Sequence, residues 1–109
     1  MSGSYSPTTD RNGYAKSIVQ NDTSRCYLCG HSGGKLDRHE VFGASNRSKS
    51  KRLGLWVMLC HDECHINGAH ASKAISDALK RKAQAVAMKA YNWTKEDFIR
   101  EFGRNYLED

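Results

Sequence analysis

Two cysteine pairs, Cys26-x2-Cys29 and Cys60-x3-Cys64, constrain this chain more than any other feature. Short-spaced pairs from distant segments are the pattern of a structural zinc ion, which takes four thiolates at about 2.3 Å in a tetrahedral array. All five histidines (His31, His39, His61, His65 and His70) fall in the same stretch, so every imidazole and thiol lies between residues 26 and 70. At 109 residues the chain fits one domain with a modest core, a size at which a metal staple matters. The choice between thiolate ligands and disulfides turns on the redox compartment. The opening residues, "MSGSYSPTTDRNG", are polar and lack the apolar stretch of a secretory signal. No run of about eighteen apolar residues occurs that would span a membrane. A cytoplasmic protein is therefore expected, and there four cysteines read as metal ligands. The second pair is one residue longer than the usual x2, which keeps His61 or His65 open as an alternative to Cys64.

Charge points to a polyanionic partner. The formal net charge is +5, and much of it is concentrated between residues 35 and 52. Six cations (Lys35, Arg38, Arg47, Lys49, Lys51, Arg52) there outnumber two acids (Asp37, Glu40), a local net of +4. Beside a histidine-rich region such a run favours nucleic acid over an ordinary solvated loop.

The chain reads as a disordered leader, residues 1–13, followed by a single domain over residues 14–109. "YAKSIVQ" is a short strand or turn, and "CYLCG" is a knuckle whose glycine lets the backbone turn its amides toward the thiolates. Gly33–Gly34 is a hairpin signal. "KLDRHEVF" follows as a strand in which His39 and Glu40 face opposite sides. "GASNRSKSKRLG" is a basic loop or short helix between Gly43 and Gly54, and "LWVMLC" is a buried strand. "HDECHINGAHAS" is a helix or tight loop interrupted by Gly68. A helix is expected over residues 72–91, lined by Ile75, Leu79, Val86 and Ala90, with Lys80, Arg81 and Lys82 on a solvated face. In the last helix Thr94 caps the start with Asp97 three residues on, Trp93 and Phe98 form a hydrophobic staple, and Gly103 ends it. Phe98, Ile99 and Phe102 are expected to pack on the core.

The order of these pieces resembles the HNH endonuclease family. The matching segments are "RHEVFGASNR", "LWVMLCHDECH", "GAH" and, near the end, "DFIREFGRNYLED". The likeness is strongest to small phage-encoded HNH-like proteins and covers roughly residues 16–75, with the C-terminal motif extending it. It implies an α+β fold: a treble-clef zinc site on a ββα-metal core spanning residues 26–75, with C-terminal helices over residues 72–109. It implies a structural Zn²⁺ on Cys26, Cys29, Cys60 and Cys64. It also implies a catalytic divalent ion (Mg²⁺, Mn²⁺, Ni²⁺ or Zn²⁺) on His39, His65 and His70. Glu40 falls where most members carry the general-base histidine, so His39, Glu40 and His65 form the implied catalytic set, with Glu40 as base or fourth ligand. Asn46 matches a residue that fixes the loop by hydrogen bonds. The adjoining cations Arg47, Lys49, Lys51 and Arg52 are expected on DNA phosphates.

Phosphodiester hydrolysis requires a water that loses a proton, a cation beside the phosphate oxygens, and a proton acceptor. A glutamate is a weaker base than histidine by about two pKa units, or about 3 kcal/mol. The resulting expectation is a metal-dependent DNA endonuclease, acting in the host cytoplasm if phage-encoded. The alternative is a non-catalytic zinc-stapled DNA-binding or recombination accessory protein on the same fold.

Overall fold

A computed structural model describes residues 8–107. The elements are strand β1 (Leu36–Glu40), a 3-10 turn (Ala44–Asn46), helix α1 (Arg47–Leu53), strand β2 (Trp56–Cys60), a π-helical segment (His61–Ala69), helix α2 (Lys73–Tyr91) and helix α3 (Lys95–Phe102). This is a small α+β domain with one two-stranded sheet, as the sequence implied. None of its described helices is long and apolar enough to cross a membrane.

β1 and β2 pair antiparallel in the register Leu36↔Cys60, Asp37↔Leu59, Arg38↔Met58, His39↔Val57 and Glu40↔Trp56. Side chains alternate along a strand, so Asp37 and His39 share one face, while Arg38 and Glu40 share the other. Gly33–Gly34 does not make a hairpin, because β1 pairs with β2 beyond α1 rather than with a strand just before it. Residues 14–20 form no strand either; they strap the open edge of β2. Ser17 Oγ donates to the Trp56 carbonyl at 2.6 Å, the Met58 amide donates to Gln20 Oε1 at 2.8 Å, and Trp56 Nε1 donates to the Ala15 carbonyl at 2.8 Å. The strap satisfies groups that a bare sheet edge would leave open. This covering lets every residue of β2 except Met58 be buried.

Part of the leader, residues 1–7, lies outside the described residues. Residues 8–13, expected to be disordered with it, fold back instead. Thr9 bridges to Ala15, and Asp10 accepts from the amides of Asn12 and Tyr14 at 2.9 and 3.0 Å.

Gly54 ends α1 at φ +75°, and a Cβ there would stand 2.3 Å from the Lys16 carbonyl oxygen. Only glycine lets the strap lie this close to the turn between α1 and β2. Asn46 Nδ2 donates to the Phe102 carbonyl at 3.1 Å, so it ties the loop to the end of α3.

The core gathers Phe42, Leu55, Val57 and Leu59 from the sheet region with Leu79, Ala83, Ala87, Phe98 and Phe102 from the helices. Phe42 packs against Phe98 and Phe102, with ring centroids 5.5 and 4.7 Å away. The buried stripe of α2 is Leu79, Ala83, Gln84, Ala87 and Tyr91. Ile75 packs against the core as expected, whereas Val86 is half-buried and Ala90 exposed. Ala83 and Ala87 are fully buried, a stripe that a search for large apolar side chains overlooks. On α3 the sequence set Ile99 in the core, yet it is 36% exposed; Phe98 and Phe102, four apart, already fill the buried face. The Thr94–Asp97 capping box and the Gly103 terminus both form.

Candidate metal centre

Cys26 and Cys29 come from the knuckle, Cys60 from the end of β2 and Cys64 from the π-helical segment. Their sulfurs all lie within 4.8 Å of one another, and none is in a disulfide. Four sulfurs around one tetrahedral zinc lie about 3.8 Å apart; Cys29 Sγ and Cys60 Sγ are 3.8 Å apart. Gly30 turns at φ +78°, and the Cys29 amide points at Cys26 Sγ across 3.4 Å. Burial raises the Cys26 thiol, but amides from Cys29, Cys60 and Leu28 outweigh it and hold Cys26 down at about 6. Burial and the neighbouring sulfurs push Cys64 far up. A set in which one thiol ionises readily and its neighbours then resist is one that a soft divalent cation neutralises.

The second cysteine pair runs from the end of β2 into the π-helical segment. A π-helix bonds residue i to i+5 and is wider than an α-helix. The His70 amide donates to the His65 carbonyl at 3.0 Å in this manner. Cys64 completes the sulfur set, whereas His61 and His65 lie with Asp37 in a separate group.

A second cluster sits on the Asp37–His39 face of the sheet. One nitrogen each of His39, His65 and His70 lies within 4.8 Å of the others. His65 Nε2 and His70 Nε2 are 3.0 Å apart, and the His39 ring stands 5.2 and 5.4 Å from those of His65 and His70. Burial first, then the charges of His65, His70 and Lys80, pushes His39 down to about 4. Its imidazole is therefore neutral near pH 7, the form that binds a metal. Behind this trio, Asp37 Oδ2 lies 2.8 Å from His65 Nδ1 and 2.6 Å from His61 Nδ1. Burial opposes ionisation of Asp37, yet the two histidines hold it below its usual value. A carboxylate on Nδ1 fixes the tautomer that presents Nε2 to a cation. The chemistry of both donor sets suits a metal: thiolates for a soft zinc-like ion, and three imidazoles for a divalent ion.

Asp37 did not stand out in the sequence reading. Strand alternation could have found it, because it lies two residues before His39. Glu40, by contrast, does not join the imidazoles. It faces the other side of β1, where the Tyr14 hydroxyl donates to Oε2 and Arg47 Nε lies 3.2 Å from Oε1. The expected phosphate-binding cations are also engaged. Arg47 pairs with Glu40, Lys49 binds the Glu101 carbonyl and lies over the Phe102 ring, and Lys51 lies 4.7 Å from the Tyr14 centroid. Arg52 is exposed, as is His31.

No family model, curated protein or solved structure matches the chain.

Asp37→Asn is expected to weaken divalent-ion binding at the imidazole cluster by about 10–100-fold, as for other carboxylates that orient a ligating histidine. The four-cysteine site keeps its ion. Calorimetric titration with Ni²⁺ or Mn²⁺, beside total metal analysis, checks this; unchanged affinity would show that Asp37 does not orient His65.

Proposed function

We propose that the protein is a metal-dependent DNA endonuclease of HNH type, with His39, His65 and His70 as the ligands of the catalytic ion. The observation that carries this reading is the convergence of three imidazoles on one face of the sheet, separate from the four-cysteine set and backed by Asp37. A structural zinc accounts for the cysteines but leaves this second cluster without a purpose. A divalent ion there supplies positive charge to the non-bridging and leaving oxygens of a phosphodiester and acidifies water. The protein's own part is to hold three imidazole nitrogens toward one point and to keep His70 exposed where substrate arrives. The net charge of +5 favours a polyanion such as DNA.

Glu40 serves in this reading as an anchor for Arg47 and Tyr14 rather than as the base. Glu40→Gln is accordingly expected to keep nicking within about tenfold of wild type. A loss of about 10²–10⁴-fold, the usual contribution of a general acid or base, would restore the basic role to Glu40.

The engagement of Glu40 also favours a second reading, a non-catalytic DNA-binding module on the same scaffold. Nicking of supercoiled plasmid with Mg²⁺, Mn²⁺, Ni²⁺ or Zn²⁺ separates the two. Cleavage supports the endonuclease. No cleavage with any ion, alongside salt-sensitive DNA binding, selects the binding module; no DNA binding at low salt overturns both.

A further inference from the structure

A groove of about 430 Å³ begins at His70 and runs between the start of α2 and the chain after α3. Lys80 and Arg104 line it, and both stand over Tyr106, at 5.6 and 5.0 Å from the ring centroid. The segment that carries Arg104 and Tyr106 is firmly held. Gln84 is fully buried; its Nε2 donates to Asn105 Oδ1 at 2.8 Å, and its Oε1 accepts from the Tyr106 amide at 2.7 Å. Gln84 lies one helical turn after Lys80, so α2 and the C-terminal segment meet at a defined spacing. Neither Lys80 nor Arg104 makes an ion pair with a carboxylate among the described residues. The acid in the groove, Asp77, is taken up by Lys73 at 2.6 Å. Ser72 and Ser76 add hydroxyls to the same wall. This differs from the basic run at residues 47–52, where Arg47 and Lys49 pair with the carboxylates of Glu40 and Glu101.

We propose that this groove binds the phosphodiester backbone of DNA, with Lys80 and Arg104 holding phosphates next to the one presented to His39, His65 and His70. The proposal rests on the DNA reading given above and adds where the strand runs. A lysine on a rigid helix and an arginine on a pinned segment make two fixed charges, and each phosphate neutralised releases counterions. In this proposal their role is to position the strand.

The test is fluorescence anisotropy of a labelled mixed-sequence DNA duplex bound to the metal-loaded full chain across a NaCl series. In the Lys80→Gln/Arg104→Gln variant the slope of log affinity against log salt is expected to fall by about 2, roughly one for each lost phosphate contact. Lys82→Gln/Lys89→Gln, the same charge change on exposed positions of α2, is expected to shift it by less than about 1. Metal content and thermal melting show that each variant is folded, and the two single substitutions, each lowering the slope by about 1, replace the double one if it is not. A wild-type slope in the groove variant, or an equal fall in the Lys82/Lys89 variant, overturns the groove while leaving the endonuclease reading intact if plasmid is still nicked. Failure of the wild type to bind DNA at low salt overturns both.

Discussion

Replacing Cys26 with serine is expected to abolish cooperative unfolding. Cys26 is 2% exposed, receives the Cys29 amide on its sulfur, and has its thiol held down at about 6. Binding of zinc to such sites contributes about 10–16 kcal/mol in small zinc modules, against a total stability of about 5–15 kcal/mol for an ordinary domain. Losing the ion thus removes free energy on the scale of the whole stability of a domain. The cysteines join the knuckle, β2 and the π-helical segment, so the loss also frees the segment that carries His65 and His70. Thermal melts followed by circular dichroism, with the buried Trp56 as a fluorescent reporter, check the outcome. Chelation of the wild type is expected to give the same loss and re-addition of Zn²⁺ to reverse it. A Cys26→Ser variant that melts within a few degrees of wild type would show that the cysteines are not a structural site.

His65→Ala is expected to leave the fold intact and remove the chemistry. His65 lies on the π-helical segment outside the apolar core, and its contacts are with Asp37, His39 and His70. In the proposed endonuclease its loss takes one of the three ligands from the proposed ion and leaves Asp37 with His61 alone. Metal content is expected to fall from two ions per chain to one. Plasmid nicking is expected to drop by at least about 10²–10³-fold, the size seen when one pre-organised electrostatic group is lost. His31→Ala, an exposed histidine outside both clusters, is the comparison and is expected to change neither. Two ions remaining in His65→Ala would remove the imidazole cluster from consideration as a metal site.

Much of this architecture could be read from short-range patterns. Each of those signals is local: the knuckle with its glycine, the apolar run of β2, the Thr94 capping box and the alternation that parts His39 from Glu40. Local signals are reliable where the backbone itself demands a residue type, as at Gly30 and Gly103. The hairpin expected at Gly33–Gly34 failed because a turn signal says nothing of which strand completes the pair, and β1 found its partner beyond α1. Ile99 failed for a related reason, since Phe98 and Phe102 alone fill the face that α3 presents.

The sequence by itself determined which atoms are available for metal chemistry: four thiols in two pairs and five imidazoles within 45 residues. Those identities and spacings are properties of the chain, and no folding event alters them. Which of them meet was decided only by the tertiary structure. Register set Asp37 beside His61 and His65, the π-helical winding brought His65 to His70, and Tyr14, 26 residues away, claimed Glu40 with Arg47. The physical reason is that a buried polar group is satisfied by whatever partner packing delivers, and packing depends on contacts distant in sequence. A charged residue such as Glu40 or Lys80 therefore looks the same in the chain whether it ends as an anchor, a base or a phosphate ligand.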